Sequence, residues 1–360
     1  MRRGIANLPL HGGKAPRWLF ERMTLLAREI TRVLVTEFGP GEVLRRLSDP
    51  FWFQTFGCLL GFDWHSSGLT TTVCGALKEG LRGLEGETEI FVAGGKGKVS
   101  RKTPQEITGY CDRISVEPTP LIYASRMSAK VDSSAVQDEY QLYHHTFFFT
   151  HDGRWCVVQQ GMNTLSRYAR RYHWLGEGVE DFCCEPHAAI CCDARGQSLN
   201  MVAKESVGNR NGVADLFKEE PTRVITELSR IAQLELPNRH HITPSDLNSS
   251  RLHKVLLATY ETGPQDFESV LGTKGIGAKT IRALSLMAEL IYGEKPSFQD
   301  PARFSFAHGG KDGHPYPVDR ETYDCSIDFL KDALWTAQVG RTEKLKAMKR
   351  LNSFYTSPHV

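Results

Sequence analysis

Three aspartates and two histidines in the first half of the chain, Asp63, Asp132, Asp138, His144 and His145, are of the types that divalent-metal chemistry uses. Carboxylates gathered at one sheet edge hold Mg²⁺ or Mn²⁺, and the ion polarises a phosphodiester while activating water. In that reading Asp63, Asp132 and Asp138 ligate the metal, and His144 or His145 acts as a ligand or general base. Successive strand residues point to opposite faces, so at most one of the two histidines reaches a given site. The competing reading makes the group, with its neighbours His65 and Glu139, a set of capping, turn and core residues. No carboxylate-x-lysine signature accompanies them, and Gln159-Gln160 stands where one would be sought.

A second group offers an anion site. In Lys274-Gly275-Ile276-Gly277-Ala278-Lys279-Thr280, two glycines two apart allow positive φ with no Cβ in the way. Successive N–H groups can then point at a phosphate, and the helix that follows adds its positive dipole end. Lys274, Gly275, Gly277, Lys279 and Thr280 are the expected DNA contacts. An ordinary tight turn between helices is the alternative. Gly94-Gly95-Lys96-Gly97-Lys98 follows a strand-like run and brings Lys96 and Lys98 to either a second phosphate loop or an exposed turn; it lacks the nucleotide-binding P-loop spacing.

The elements that must position these groups follow from hydrophobic period and turn residues. Residues 16–48 read as helix, broken at Gly39-Pro40-Gly41. The apolar run 56–62 reads as a strand delivering Asp63, and 120–137 as helix. Tyr143 to Thr150 and Arg154 to Gln160 read as a hairpin turning at Asp152-Gly153, and 188–192 with 199–203 as another. The stretch 167–174, rich in arginine and aromatics, suits either single-stranded nucleic acid or a helix with a basic face, and 206–220 reads as a linker. Apolar residues before and after Gly275 recur at helical spacing, giving a helical hairpin. The expected architecture is α+β: a mixed N-terminal domain with antiparallel hairpins over 1–210, the catalytic part, and an all-helical DNA-binding domain over 211–360.

Composition narrows the class. With 360 residues, 40% of them apolar and 24% charged, the chain is that of an ordinary globular protein long enough for two domains. A net charge of +2 leaves nucleic-acid binding to local patches. No run is long enough for a membrane span and the N-terminus lacks a signal-peptide core, so no membrane partner and a cytoplasmic location are expected. Nine cysteines do not make a disulfide scaffold, and the set Cys183-Cys184, His187, Cys191-Cys192 matches none of the usual zinc spacings, which favours buried thiols.

The 270–281 stretch resembles the helix-hairpin-helix motif of DNA polymerases, ligases, nucleases and base-excision glycosylases. Gly275 to Thr280 with Val318-Asp319 is similar to the glycosylase version, which implies Lys279 as an amine nucleophile and Asp319 as the carboxylate that supports loss of the base. Lys274 stands where that family has proline, and the interval to Asp319 is lengthened, so Lys279 as a phosphate contact and Asp319 as a helix cap stay open beside it. Across the whole chain, His11-Gly12-Gly13-Lys14, Gly61 to Gly68, Tyr143-His144-His145, Gln159 to Asn163, Tyr172-His173-Trp174 and His308 to Gly313 resemble a prokaryotic family numbered 763 among domains of unknown function. That resemblance implies DNA processing. The leading expectation is a DNA nuclease dependent on Mg²⁺ or Mn²⁺ and acting in repair or maintenance; a glycosylase or lyase using Lys279 and Asp319, and a non-enzymatic DNA-binding protein, are the alternatives. A homodimer is expected from the general prevalence of symmetric oligomers.

Overall fold

A computed structural model describes residues 15–62, 67–166, 168–192, 196–233, 242, 250–302, 328 and 330–356. Asp63, His65 and Asp319 lie outside the described residues.

Helices α1 (Arg17–Phe38), α2 (Pro40–Ser48), α3 (Pro50–Leu59), α4 (Gly68–Leu81) and α5 (Glu85–Thr88) come first. The α1–α2 break is where it was expected: Gly39 takes φ +82°, and Pro40, whose missing N–H costs nothing at a helix start, opens α2. The run expected as a strand at 56–62 is instead mostly the end of α3. A short apolar run does not distinguish a buried strand from a buried helix. Asp49 decides it, since its carboxylate accepts from the Phe51 and Trp52 N–H groups at 2.8 and 3.0 Å and caps a helix begun by Pro50.

Next come β1 (Ile90–Lys96), α6 (Thr103–Ile114), α7 (Thr119–Lys130), a π turn (Val131–Ala135), β2 (Val136–Gln137), β3 (Gln141–Thr150), β4 (Trp155–Met162), β5 (Ala169–Leu175), β6 (Ala189–Cys191) and β7 (Gln197–Asn200). They continue into α8 (Val207–Leu216), α9 (Pro221–Ile231), α10 (Ser250–Thr262), α11 (Phe267–Gly272), α12 (Ala278–Tyr292), β8 (Ser297–Gln299) and α13 (Arg341–Thr356). The strands form an antiparallel sheet in the order β1-β3-β4-β5-β6 and a small sheet β2-β7-β8, so the molecule is α+β. β6 and β7 belong to different sheets and are not the hairpin expected at 188–203.

The large sheet is covered on both faces, which is why its strands are apolar on both sides. Phe91, Phe147, Phe149, Val157 and Trp174 face a core with α6, α7, α8 and α12. Val92, Phe148, Cys156 and Val158 face α1 to α4, to which Leu330, Leu334, Ala347 and Leu351 are added from the C-terminal end. Arg350 Nε donates to the Leu59 carbonyl at 3.0 Å, joining α13 to α3. The first core runs without interruption from Phe91 through Leu216 to Ala288, so helices on both sides of residue 210 pack on one sheet face.

The segment 206–220 is not a linker but contains the buried helix α8. Gly212 lies so close to α12 that a Cβ there would meet the Ala288 methyl at 3.0 Å, and Asn209 Nδ2 donates to the Ser285 and Glu294 carbonyls at 2.9 and 2.6 Å. Polar and glycine residues hid this helix from hydrophobic period. The basic stretch 167–174 is largely strand β5, and Arg170 and Arg171 are buried within it, so they present no basic face to solvent. No helix among the described residues is long and apolar enough to cross a membrane.

Candidate functional site

The hairpin around Gly275 is built locally and held from beneath. Asp266 caps α11 by accepting from Ser269 N at 2.8 Å, and α11 ends at Gly272. Gly275 takes φ +97°, and a Cβ on it would approach Val255 Cγ2 of α10 at 3.1 Å, so both backbone conformation and space favour glycine. Ile276 is buried and pins the turn to the core. Gly277 begins α12 in extended conformation, and no side chain of the described residues caps that helix. Lys274, Gly275 and Lys279 are exposed, with Thr280 half-buried. Beneath the turn, Lys130 Nζ donates to the Ile276 carbonyl, Gln137 Nε2 to the Ala278 carbonyl at 2.8 Å, and Arg282 Nε to Gln137 Oε1 at 2.6 Å. Burial holds the Lys130 ammonium below its usual pKa. The carbonyls are thus used inward, while the first-turn N–H groups of α12 have no acceptor within the helix and form its positive end.

Asp132 and His145 are brought together elsewhere, inside the first core. Ser125 Oγ lies 2.9 Å from His145 Nε2, and His145 Nδ1 lies 2.8 Å from Gln159 Oε1. Gln159 Nε2 donates to Asp132 Oδ2 at 2.6 Å, Trp174 Nε1 to the same oxygen at 3.0 Å, and Asp132 Oδ1 meets His187 Nε2 at 2.5 Å. Because the Gln159 amide nitrogen faces Asp132, its oxygen faces His145. Nδ1 therefore carries the ring proton, and Nε2 accepts from the Ser125 hydroxyl. Burial lowers the His145 pKa against the opposing pull of Gln159 and Asp132. The chain of contacts ends at His187, whose ring sits 4.4 Å from that of Trp174.

The other residues with expected roles go to separate places. Asp138 Oδ2 accepts from Arg170 Nη1 at 2.9 Å and from the Tyr172 hydroxyl at 2.7 Å, and Arg170 Nη2 reaches Asp300 at 2.7 Å. Burial raises the Asp138 pKa, with the Arg170 charge and the Tyr172 hydrogen bond pulling the other way. His144 points to the opposite face of the sheet from His145, as the strand period requires. Its Nε2 lies 2.9 Å from Thr146 Oγ1, its Nδ1 has no hydrogen-bond partner among the described residues, and burial drives its pKa down to about 3, with His145 and Lys96 adding to the shift. Lys96 ends β1 with its ammonium 5.8 Å from the centre of the Tyr143 ring, while Lys98 is exposed in the turn that follows. Asp132 and Asp138 thus belong to different hydrogen-bonded groups and are not brought to one another.

Two features were not legible in the sequence. His187, Glu185, Glu205, Asn200, Ser297 and Asp300 contribute to the lining of a cleft of about 250 Å³ between the two sheets. Asp181, Cys183 and Glu268 bring a carboxylate oxygen, a thiol sulfur and a second carboxylate oxygen within 4.8 Å of one another, a set that could hold a metal ion. Neither set follows a recognised spacing, since each joins residues close in sequence, Glu185 and His187 or Asp181 and Cys183, to partners such as Asp300 or Glu268 distant in the chain.

Residues 4–318 match the family described as "Protein of unknown function (DUF763)", and the chain belongs to that family. No curated protein and no solved structure matches it.

Proposed function

We propose that this protein binds DNA by seating a backbone phosphate on the start of α12. The observation that carries this reading is the combination of positive φ at Gly275, an α12 start without a side-chain cap, and the exposed Lys274 and Lys279 beside it. A helix start with its N–H groups directed outward suits an anion, and flanking lysines add attraction that depends on salt rather than on base sequence. Fluorescence anisotropy with labelled single- and double-stranded DNA tests it. Binding that weakens steeply with salt and is lost in a Lys274→Ala/Lys279→Ala double variant is the expected result. Binding unchanged in that variant would remove the hairpin from the interface.

A second reading, phosphodiester hydrolysis, rests on the contact between His187 and Asp132 at the cleft. A buried carboxylate that orients an imidazole is a general-base arrangement, and Glu185, Glu205 and Asp300 give the cleft the acidic lining that Mg²⁺ or Mn²⁺ prefers. In this reading the hydrolytic base is His187 rather than His144 or His145. Incubating labelled DNA with Mn²⁺ or with EDTA is the test: cutting that requires the metal and disappears in His187→Ala while binding persists supports it, and chelator-insensitive cutting or none at all sinks it. Lyase action by Lys279 would instead show as a borohydride-trapped adduct absent from Lys279→Ala.

A further inference from the structure

We propose that Asp181, Cys183 and Glu268 form a binding site for a zinc-class divalent cation that ties α11 to the loop following β5. The three ligand atoms lie within 4.8 Å of one another, close enough for small side-chain movements to bring them around one ion. Zinc binds carboxylate oxygens at about 2.0–2.2 Å and thiolate sulfur at about 2.3 Å. One observation separates this group from an ordinary surface cluster of acids. The Cys183 side chain is buried, only 2% of the residue being exposed, and its thiol meets no hydrogen-bond partner among the described residues while facing the two carboxylates.

The surroundings are preorganised. The Cys183 backbone N–H donates to Asp181 Oδ1 at 2.6 Å, fixing that carboxylate beside the thiol. The Tyr123 hydroxyl of α7 donates to Glu268 Oε1, so an outer hydrogen bond orients the third ligand, as partners of metal-bound carboxylates commonly do. A sulfur donor favours Zn²⁺ over Mg²⁺, and Asp181, being exposed, leaves a position for water. Three protein ligands plus water is a four-coordinate arrangement. Glu268 belongs to the first helix of the hairpin and Cys183 to the sheet side, so the ion would anchor the hairpin independently of any DNA.

Cobalt(II) added to the full chain is the probe, since a cobalt–thiolate bond gives a near-ultraviolet charge-transfer band. A saturable band at one equivalent, displaced by zinc, is expected. It should be lost in Cys183→Ala, at least tenfold weaker in affinity in Glu268→Gln, and retained in Cys184→Ser. Should Cys183→Ala fail to fold, Glu268→Gln decides, because Glu268 is only half-buried and its replacement leaves the thiol in place. A second reading comes from urea unfolding, in which zinc raises the midpoint of the wild-type chain and not that of Glu268→Gln. Absence of the band, or a band and a zinc effect unchanged in Glu268→Gln, would overturn the assignment.

Discussion

The hairpin at 273–280 and the polar chain beneath the sheet are both rich in residues capable of chemistry, yet they use them in opposite ways. In the hairpin the lysines are exposed, and the carbonyls of Ile276 and Ala278 are taken up from below, which leaves the positive side outward. Around the sheet Asp132, Asp138, His145 and Arg170 are buried, Asp138 bonded to Arg170 and Asp132 linked to His145 through Gln159. A charge kept in low dielectric needs a partner, so the interior sites hold the fold together. These chains of contacts reach the cleft at two places, through His187 and through Asp300. Polar residues are therefore informative about function here when their partners stop at a surface.

The largest effect expected from this contrast is on stability. Asp138→Ala removes the acceptor of Arg170 Nη1 and of the Tyr172 hydroxyl in the interior, and a loss of about 3–5 kcal/mol by urea unfolding is expected. A loss below 1 kcal/mol would mean that water reaches Arg170 and the interior reading fails. The buried histidines give the next effect. The folded pKa of His144 is about 3 against an ordinary 6.5, so the unfolded chain takes up the proton first as pH falls. Its contribution is complete above pH 6.5 and is lost as pH drops toward 3, at about 1.4 kcal/mol per pH unit. His145 and His173 are shifted the same way by burial. Unfolding measured between pH 4 and 6 should show that slope, reduced by about one proton in His144→Gln.

Hairpin changes should act on binding more than on folding. Gly275→Val puts a β-branched residue at φ +97° and crowds Val255, and about tenfold weaker DNA binding is expected with about 1–2 kcal/mol of destabilisation. Equal affinity would show that the turn need not hold this shape. Lys274→Ala or Lys279→Ala alone should weaken binding about three- to tenfold and lower the salt slope by about one ion each. Lys98→Ala, on an exposed turn with no hairpin contact among the described residues, should change affinity less than about twofold. A larger change would extend the interface to the β1 end.

Local signals carried much of the fold. The break at Gly39-Pro40, the β3–β4 hairpin at Asp152-Gly153 and the helix after Gly277 each rest on residues adjacent in sequence, and each was legible. The end of α3 reads as a strand at 56–62 because a ten-residue buried helix has no polar face to betray its period, and α8 reads as a linker because its polar Asn209 and Arg210 and its Gly212 are buried beside Val213 and Leu216. The site divides in the same way. Gly275, Ile276 and Gly277 shape the hairpin by their own conformations, so its geometry was readable.

What the sequence by itself determined is therefore the α+β composition of the chain, the family it belongs to and the glycine-built turn, since φ preference, helix caps and hydrophobic period act over a few residues. Only the tertiary structure decided the fate of the titratable groups. Which face of β3 carries His145, that Asp132 reaches both Gln159 and His187, and that Cys183 meets Glu268 from 85 positions later in the chain all depend on strand register and on layers packing together. Burial and partnership, which set whether a carboxylate is a ligand or a structural anion, arise between elements distant in the sequence, and no local pattern encodes them.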